Sequence, residues 1–458
     1  MLRGLIKKGG IEMKKVCWIF AVLLLVGTFL LGAEEEFQGM GLAPVTDEPV
    51  IFQGWQYRTD IVEDNVRRYN TELGGHVVYS TIAGDYSAIM ENKLIIRAPL
   101  DVFYGHIYDA VRYYEGGWII PAEELPNIDA IKADMYPSIL DAFTYDGKLL
   151  GLSYFTSVLG VVGVNLKLLE QVGMTFDELP STWDELYDQL YEIRERGLEH
   201  PFLPGWYVEQ WGIPWAFILE VMNRGGEIAD PETHEPLLTA DGPAGDVLRD
   251  WKRIWNDGIV EREVLSYKEA DFLEAWESGK YLYAPTMLYN IKRHNDPQYS
   301  QFAGYCSFIP YKGQPWGMLD AAVYIMSNRP RSKAHTRDVM AFTSWYGYRD
   351  HEGKFFVANR WMKESMLFSA YRSVMESPET EATIRASVAR PEDYAAALEL
   401  YEHAKYAAGV FNQIWGIEFQ TFLREILHEF LLKDLPVEDT IQAMIDKINE
   451  LNALYYGK

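Results

Sequence analysis

From residue 50 onward, short apolar runs alternate with amphipathic stretches, and this alternation restricts the fold more than any other feature of the chain. Val50-Ile51-Phe52 runs as a strand to Gly54-Trp55. Val62, Val66, Tyr69 and Leu73 then recur at helical spacing, with Asp60 and Glu63 as a capping-box-like start and Gly74-Gly75 as the stop. Residues 77–82 predict a second strand, residues 86–93 a second helix, and Leu100-Asp101-Val102-Phe103-Tyr104 a third strand and its loop. The order βαβαβ requires parallel strands, helices laid over the sheet and right-handed crossovers. No glycine-rich phosphate loop follows the first strand, so a dinucleotide site is not supported.

In sheets of this kind ligands bind beyond the carboxyl ends of the strands. Trp55 and Tyr57, Asp85, and Tyr104 and His106 stand just after the three strands and are candidate ligand contacts. Interdomain packing is the competing role for Trp55 and Tyr104. Further on, a Gly- and Pro-rich loop at residues 204–215 carries Trp206, Trp211 and Trp215 ahead of an apolar helix. Indole faces stack on the C–H faces of sugar rings, and the indole N–H can donate, so at least one of the three is expected to touch ligand. Trp211 leads, because it directly precedes Gly212-Ile213-Pro214, where a helix begins. The others compete as buried residues of that helix start.

Lys14 and Lys15 precede an apolar run at residues 16–31 that ends in Leu31-Gly32-Ala33 before Glu34-Glu35-Glu36, the layout of a secretory signal cleaved after Ala33. Residues 8–13 can be encoded by a purine-rich ribosome-binding stretch, which puts the true start at Met13. The formal net charge is −25. Loss of residues 1–33, with five basic groups and one acid, leaves a mature chain more acidic still. Such an excess disfavours nucleic acid and anionic membranes as partners and fits a protein secreted across the cytoplasmic membrane, periplasmic or otherwise extracytoplasmic. Cys306 is then the only cysteine, so no intrachain disulfide forms; a buried strand position is its expected place.

Residues 145–186 join these strands to a recognisable series. Asp146-Gly147 turns between two apolar runs, Gly160-Val161-Val162-Gly163-Val164-Asn165 follows as a strand, and Thr182 and Glu185 form a helix cap. Asp146-Gly147-Lys148-Leu149-Leu150-Gly151-Leu152-Ser153, Asn165-Leu166-Lys167-Leu168-Leu169 and Pro180-Ser181-Thr182-Trp183-Asp184-Glu185-Leu186 together resemble the signature of family 1 extracellular solute-binding proteins, the receptors of ABC importers, with Ser153 where that family usually has proline. Later segments are similar too. Phe272 to Tyr289 resembles a strand returning to the cleft, with Met287 and Tyr289 at its end. The stretch from Phe308 through Trp316 to Asp320 resembles a crossover between domains, and Gly409 to Trp415 resembles part of the family's C-terminal layout.

The resemblance implies an α/β, two-lobed periplasmic-binding-protein fold of discontinuous domains joined by a hinge. Residues 45–157 and 312–357 would form the N-terminal lobe, and 158–311 and 358–458 the C-terminal lobe. It implies a monomeric receptor, without cofactor, that captures a small solute, an oligosaccharide first, and passes it to a membrane permease. The site would draw on Phe155 at the first crossover and on Met287, Tyr289, Trp316, Asp320 and Trp415 with the aromatics already named. A receptor for peptides or other solutes is one alternative. The other is a secreted carbohydrate-active enzyme using carboxylates such as Asp101, Glu209, Glu220 and Asp320. No HExxH, Walker or GxSxG motif supports catalysis, and residues 230–242 predict a solvated hairpin without the spacing of a calcium loop.

Overall fold

Strands β1 (Val50–Trp55), β2 (Val77–Ile82) and β3 (Val102–His106) alternate with helices α1 (Thr59–Leu73), α2 (Tyr86–Ile95) and α3 (Ile107–Glu115). The computed structural model describes residues 41–457 apart from Gln210 and Gln314, so the export segment and the start at Met13 lie outside the described residues. β1 pairs in parallel with β2, Val50 opposite Val77, and with β3, Phe52 opposite Val102. Gly74 ends α1 with φ 67°, a conformation that glycine adopts without strain. The start of α1 differs from the capping-box expectation. Arg58 takes the cap position, and Asp60 lies inside the first turn, where its carboxylate accepts from Arg58 at 2.8–2.9 Å.

Besides the two-residue strand Ile119–Ile120, four later strands extend the same sheet: β4 (Leu152–Asn165), β5 (Tyr283–Met287), β6 (Cys306–Phe308) and β7 (Met318–Ser327). The order is β2-β1-β3-β7-β4-β5, with β6 also on β4. All fourteen residues of β4 are buried, as a central strand covered on both faces must be. From Leu152 to Leu159 it runs antiparallel to β7; from Leu159 onward it pairs with β5, and at its end with β6. The transfer happens at an irregularity where Gly160 has φ 79°, and a Cβ there would stand 2.3 Å from the Leu219 side chain. Only glycine fits that bend.

Helix α4 (Trp183–Glu195) begins as predicted, with the Glu185 N–H donating to Thr182 Oγ1 at 3.2 Å, while the Glu185 carboxylate accepts from Ser181 N. Beyond β4, helices α5 (Ile213–Asn223), α6 (Pro243–Asn256), α9 (Gly416–Lys433) and α10 (Val437–Tyr455) pack together around buried tryptophans. On the other side, α7 (Lys333–Gly347) covers β1, with Phe342 edge-on to Phe52. Helix α8 (Phe356–Ser365) joins α1 through Arg360, which donates to Asp64 and Asn65, and through the ion pair of Glu364 with Arg58. Those contacts tie α8 to α1.

Asp101, at the opposite end of β3 from His106, is fully buried and holds Arg329 and Arg331 together with the Ile51 N–H. Cys306 is buried on β6, as expected. Among the described residues no helix is long and apolar enough to cross a membrane.

Candidate ligand cleft

β1 and β3 end side by side, and their last side chains build one wall of a cleft. The Trp55 ring lies 5.2 Å from His106 at an interplanar angle of 24°, and His106 in turn stacks on Tyr108 at 4.9 Å. Tyr104 lies beneath Trp55, stacked on Tyr154 at 4.6 Å. A Cβ on Gly54 would meet the Tyr104 ring at 2.5 Å, so that glycine makes the room for it. Tyr104 is fully buried; as a ligand contact it is corrected to the support on which Trp55 rests. Trp55, Tyr57, His106, Phe155 and Tyr289 line a cavity of about 600 Å³. Arg58, Arg293 and Glu364 stand on the same lining, each in an ion pair.

Tyr108 carries the wall across to the second half of the molecule, meeting Trp215 edge-on at 5.9 Å and Phe411 at 5.6 Å. Trp215 is fixed there by its indole N–H, which donates to Gln420 Oε1 at 2.6 Å. Beside these rings Asp320, on β7, is 8% exposed. Burial pushes its carboxyl up to about 7, and only the Ala321 backbone N–H opposes that. Its charge acts on the hydroxyls of Tyr108, Tyr207, Tyr289 and Tyr406. Burial also holds His106 down to about 4, so its imidazole is uncharged at neutral pH.

A second, narrower pocket shares Asn290 with the first and is walled by Trp211, Tyr207, Phe272, Leu273 and Met287. Trp211 is 38% exposed, and its indole N–H donates to Glu269 at 3.1 Å. Three tryptophans anticipated at the cleft are corrected to core. Trp206 packs on Trp251 at 4.8 Å and forms only the back of the narrow pocket; Trp316 packs on Trp183 at 5.1 Å; Trp415 donates to Asn452 between α9 and α10. All three bury essentially their whole surface. Asp85 is also corrected: its carboxylate faces solvent and caps α2 through the Ala88 N–H.

Of the four carboxylates considered for hydrolysis, Asp101 serves the arginine cluster, Glu209 accepts from the Glu269 N–H, and Glu220 accepts from Tyr187 and Trp251. Asp320, like Glu209, accepts from a backbone N–H and from no side-chain donor among the described residues. Sequence reasoning missed Tyr108, Tyr154, Tyr406 and Phe411. Tyr108 was in reach of the strand-end rule, two residues past His106. Tyr406 and Phe411 carry no such signal, because their segment is brought beside Met318 and Tyr108 by pairings distant in sequence, a bridge from Lys405 to Met318 and the ring contact of Phe411 with Tyr108.

Residues 70–348 match the family of bacterial extracellular solute-binding proteins, which is more than half of the chain. The chain belongs to that family. Solved structures share the two-lobed fold of this solute-binding protein. The maltose-bound MalE3 of T. maritima has a TM-score of 0.70 at 14% identity, covering 88% of this chain and 99% of its own. A solute-binding protein of Thermotoga lettingae, bound with α-D-tagatose, has a TM-score of 0.69 at 16% identity, with 88% and 99% covered. The GacH receptor of Streptomyces glaucescens, solved unliganded and with acarbose, has a TM-score of 0.68 at 16% identity, with 88% and 98% covered. At these identities the likeness establishes the fold.

The buried carboxylates make stability depend on pH. Asp109 and Glu220, like Asp320, are pushed up to about 7 by burial. An acid whose folded pKa is raised holds its proton more tightly when folded; its contribution is complete below the unfolded value near ~4 and is lost as pH rises through about 7. The ligand-free solute-binding protein is therefore expected to melt lower at about pH 8 than at about pH 5, and Asp320→Asn should shrink that drop. Melting curves across this range decide it. A drop of the same size in the variant would count against an unpaired Asp320.

Proposed function

We propose that this solute-binding protein captures a carbohydrate, an oligosaccharide in particular, in the cleft between its lobes and delivers it to the permease of an ABC importer. The observation that carries the reading is the cleft itself: Trp55, Tyr289 and Trp211 offer exposed or half-buried aromatic surface, and Asn290, on the lining of both pockets, and Glu269, on that of the narrower one, are polar groups among them. Apolar faces with a few polar tips suit the amphipathic surface of a sugar. The maltose, tagatose and acarbose named for the structurally similar proteins agree with a carbohydrate. Two pockets joined at Asn290 suit a ligand longer than one ring. The protein acts as an exported monomer without catalysis, its lobes dividing near residues 157 and 311 and closing about the bend at Gly160.

Closure requires that the ligand bind the closed arrangement better than the open one, through contacts to both lobes. A thermal-shift screen across a glycan library identifies the ligand, since binding to the folded state alone raises stability by RT ln(1 + [L]/Kd). With that glycan, small-angle scattering should show a smaller radius of gyration than the free protein. A library without a single stabilising glycan defeats the carbohydrate reading; an unchanged scattering curve with a bound glycan defeats closure.

A further inference from the structure

The narrow pocket is too small for a sugar ring, yet it offers what one kind of ring substituent needs. It holds about 50 Å³, whereas a dry cavity of about 150 Å³ takes one benzene ring. A pyranose therefore stays outside it, and a short group on that pyranose can enter. Asn290 stands on the lining of both the pocket and the wide cavity, so a sugar in the wide cavity has the pocket within reach. Most of the wall is apolar: Leu159 from β4, Leu219 from α5, Phe272 and Leu273 from the helix Glu269–Glu277, and Met287 from β5.

Trp183, the first residue of α4, lines the same pocket, and its indole N–H is buried without an acceptor among the described residues. A buried donor left unmet is unfavourable, and a ligand oxygen that reaches it removes that cost. Glu269 also lines the pocket; its carboxylate accepts from Trp211 Nε1 at 3.1 Å and has acceptor sites to spare. The remaining polar side chains are engaged: Glu220 by Tyr187 and Trp251, Thr286 with His294, and Tyr207 with the Trp211 carbonyl. No lysine, arginine or histidine stands on this lining.

These features sort the substituents a sugar can carry. A carboxylate would meet Glu269 and Glu220 with no counterion. A hydroxyl leaves the apolar wall unmatched, a bare methyl leaves the Trp183 N–H unmet, and an ammonium cannot accept from it. An acetamido group supplies all three parts: a methyl for the apolar wall, a carbonyl oxygen for the Trp183 N–H, and an amide N–H for Glu269 or Asn290. We propose that the narrow pocket is a subsite for the N-acetyl group of an N-acetylated amino sugar whose ring lies in the wide cavity. This rests on the carbohydrate reading above and narrows it to one class of sugar.

The test is calorimetry on the whole mature chain with matched tetramers that differ only at one substituent: the N-acetyl form, the free amine and the hydroxyl, in glucose and galactose series. The N-acetyl form of one series should bind about tenfold tighter or more than its amine and hydroxyl counterparts, since it buries a methyl and meets an empty donor. Leu273→Trp, at a partly buried position, fills the pocket and should bring the N-acetyl and hydroxyl forms to parity. Trp183→Phe keeps a ring but removes the N–H, and should cut the preference about fivefold. Equal or weaker binding of the N-acetyl forms, beside measurable binding of other glycans, overturns the acetamido subsite and leaves the carbohydrate reading standing. No binding by any glycan overturns both. A preference that survives undiminished in folded Leu273→Trp places the acetyl group elsewhere and overturns the proposal, and one that survives in folded Trp183→Phe overturns the role of its N–H.

Discussion

Asp101→Ala should destabilise the protein by about 3–5 kcal/mol, the range for stripping one partner from a buried ion pair. The Asp101 carboxylate accepts from Arg329 at 2.8 and 2.9 Å, from Arg331 at 2.6 Å and from the Ile51 N–H at 2.9 Å. Arg331 is itself almost wholly buried, at 2% side-chain exposure. Without Asp101 its guanidinium and the β1 amide lose their acceptor together, in a place water does not reach. Denaturant unfolding measures the loss. A change under about 1 kcal/mol would mean that the cluster relaxes toward solvent. Ligand affinity should hold, because Asp101 sits at the end of β3 away from the cleft.

The second large effect separates two tryptophans five residues apart. Trp206→Ala should cost about 3–5 kcal/mol of stability, since it empties a space between Trp251 and Trp255 in a packed core. Trp211→Ala should leave the melting temperature nearly unchanged and weaken glycan binding by about 1–3 kcal/mol, because its exposed face lies on the pocket wall. Unfolding curves and calorimetry on both variants give the four numbers needed. Full affinity in Trp211→Ala would remove it from the site, and an unperturbed fold in Trp206→Ala would contradict its burial.

That contrast also marks how far local sequence reaches. The strands at 50–55, 77–82 and 102–106 and the helices between them were legible, because periodicity and glycine stops are local properties. The strand ends were legible too, and Trp55 and His106, which follow them, line a cavity. The Asp146-Gly147 turn was legible as well: both residues adopt positive φ, at 48° and 71°, as a tight hairpin of this kind demands.

Which aromatics face the ligand was another matter. Trp206, Trp211 and Trp215 share one loop and one composition, yet the first is core, the second exposed, and the third a buried wall fixed by Gln420 from 205 residues away. Trp316 and Trp415 were drawn toward the cleft by family likeness and proved to be core, because each found a partner, Trp183 or Asn452, that only the folded chain brings near. Asp320 shows the converse. Nothing around it in the chain distinguishes it from the many other acids, and its lack of a side-chain donor among the described residues is a fact of the tertiary surroundings alone. The sequence by itself determined the parallel order of β1, β2 and β3 and carried the motifs that resemble the family, since both lie in local stretches of chain. The tertiary structure decided which side chains are buried and which partners each carboxylate finds, since burial and pairing depend on neighbours distant in sequence.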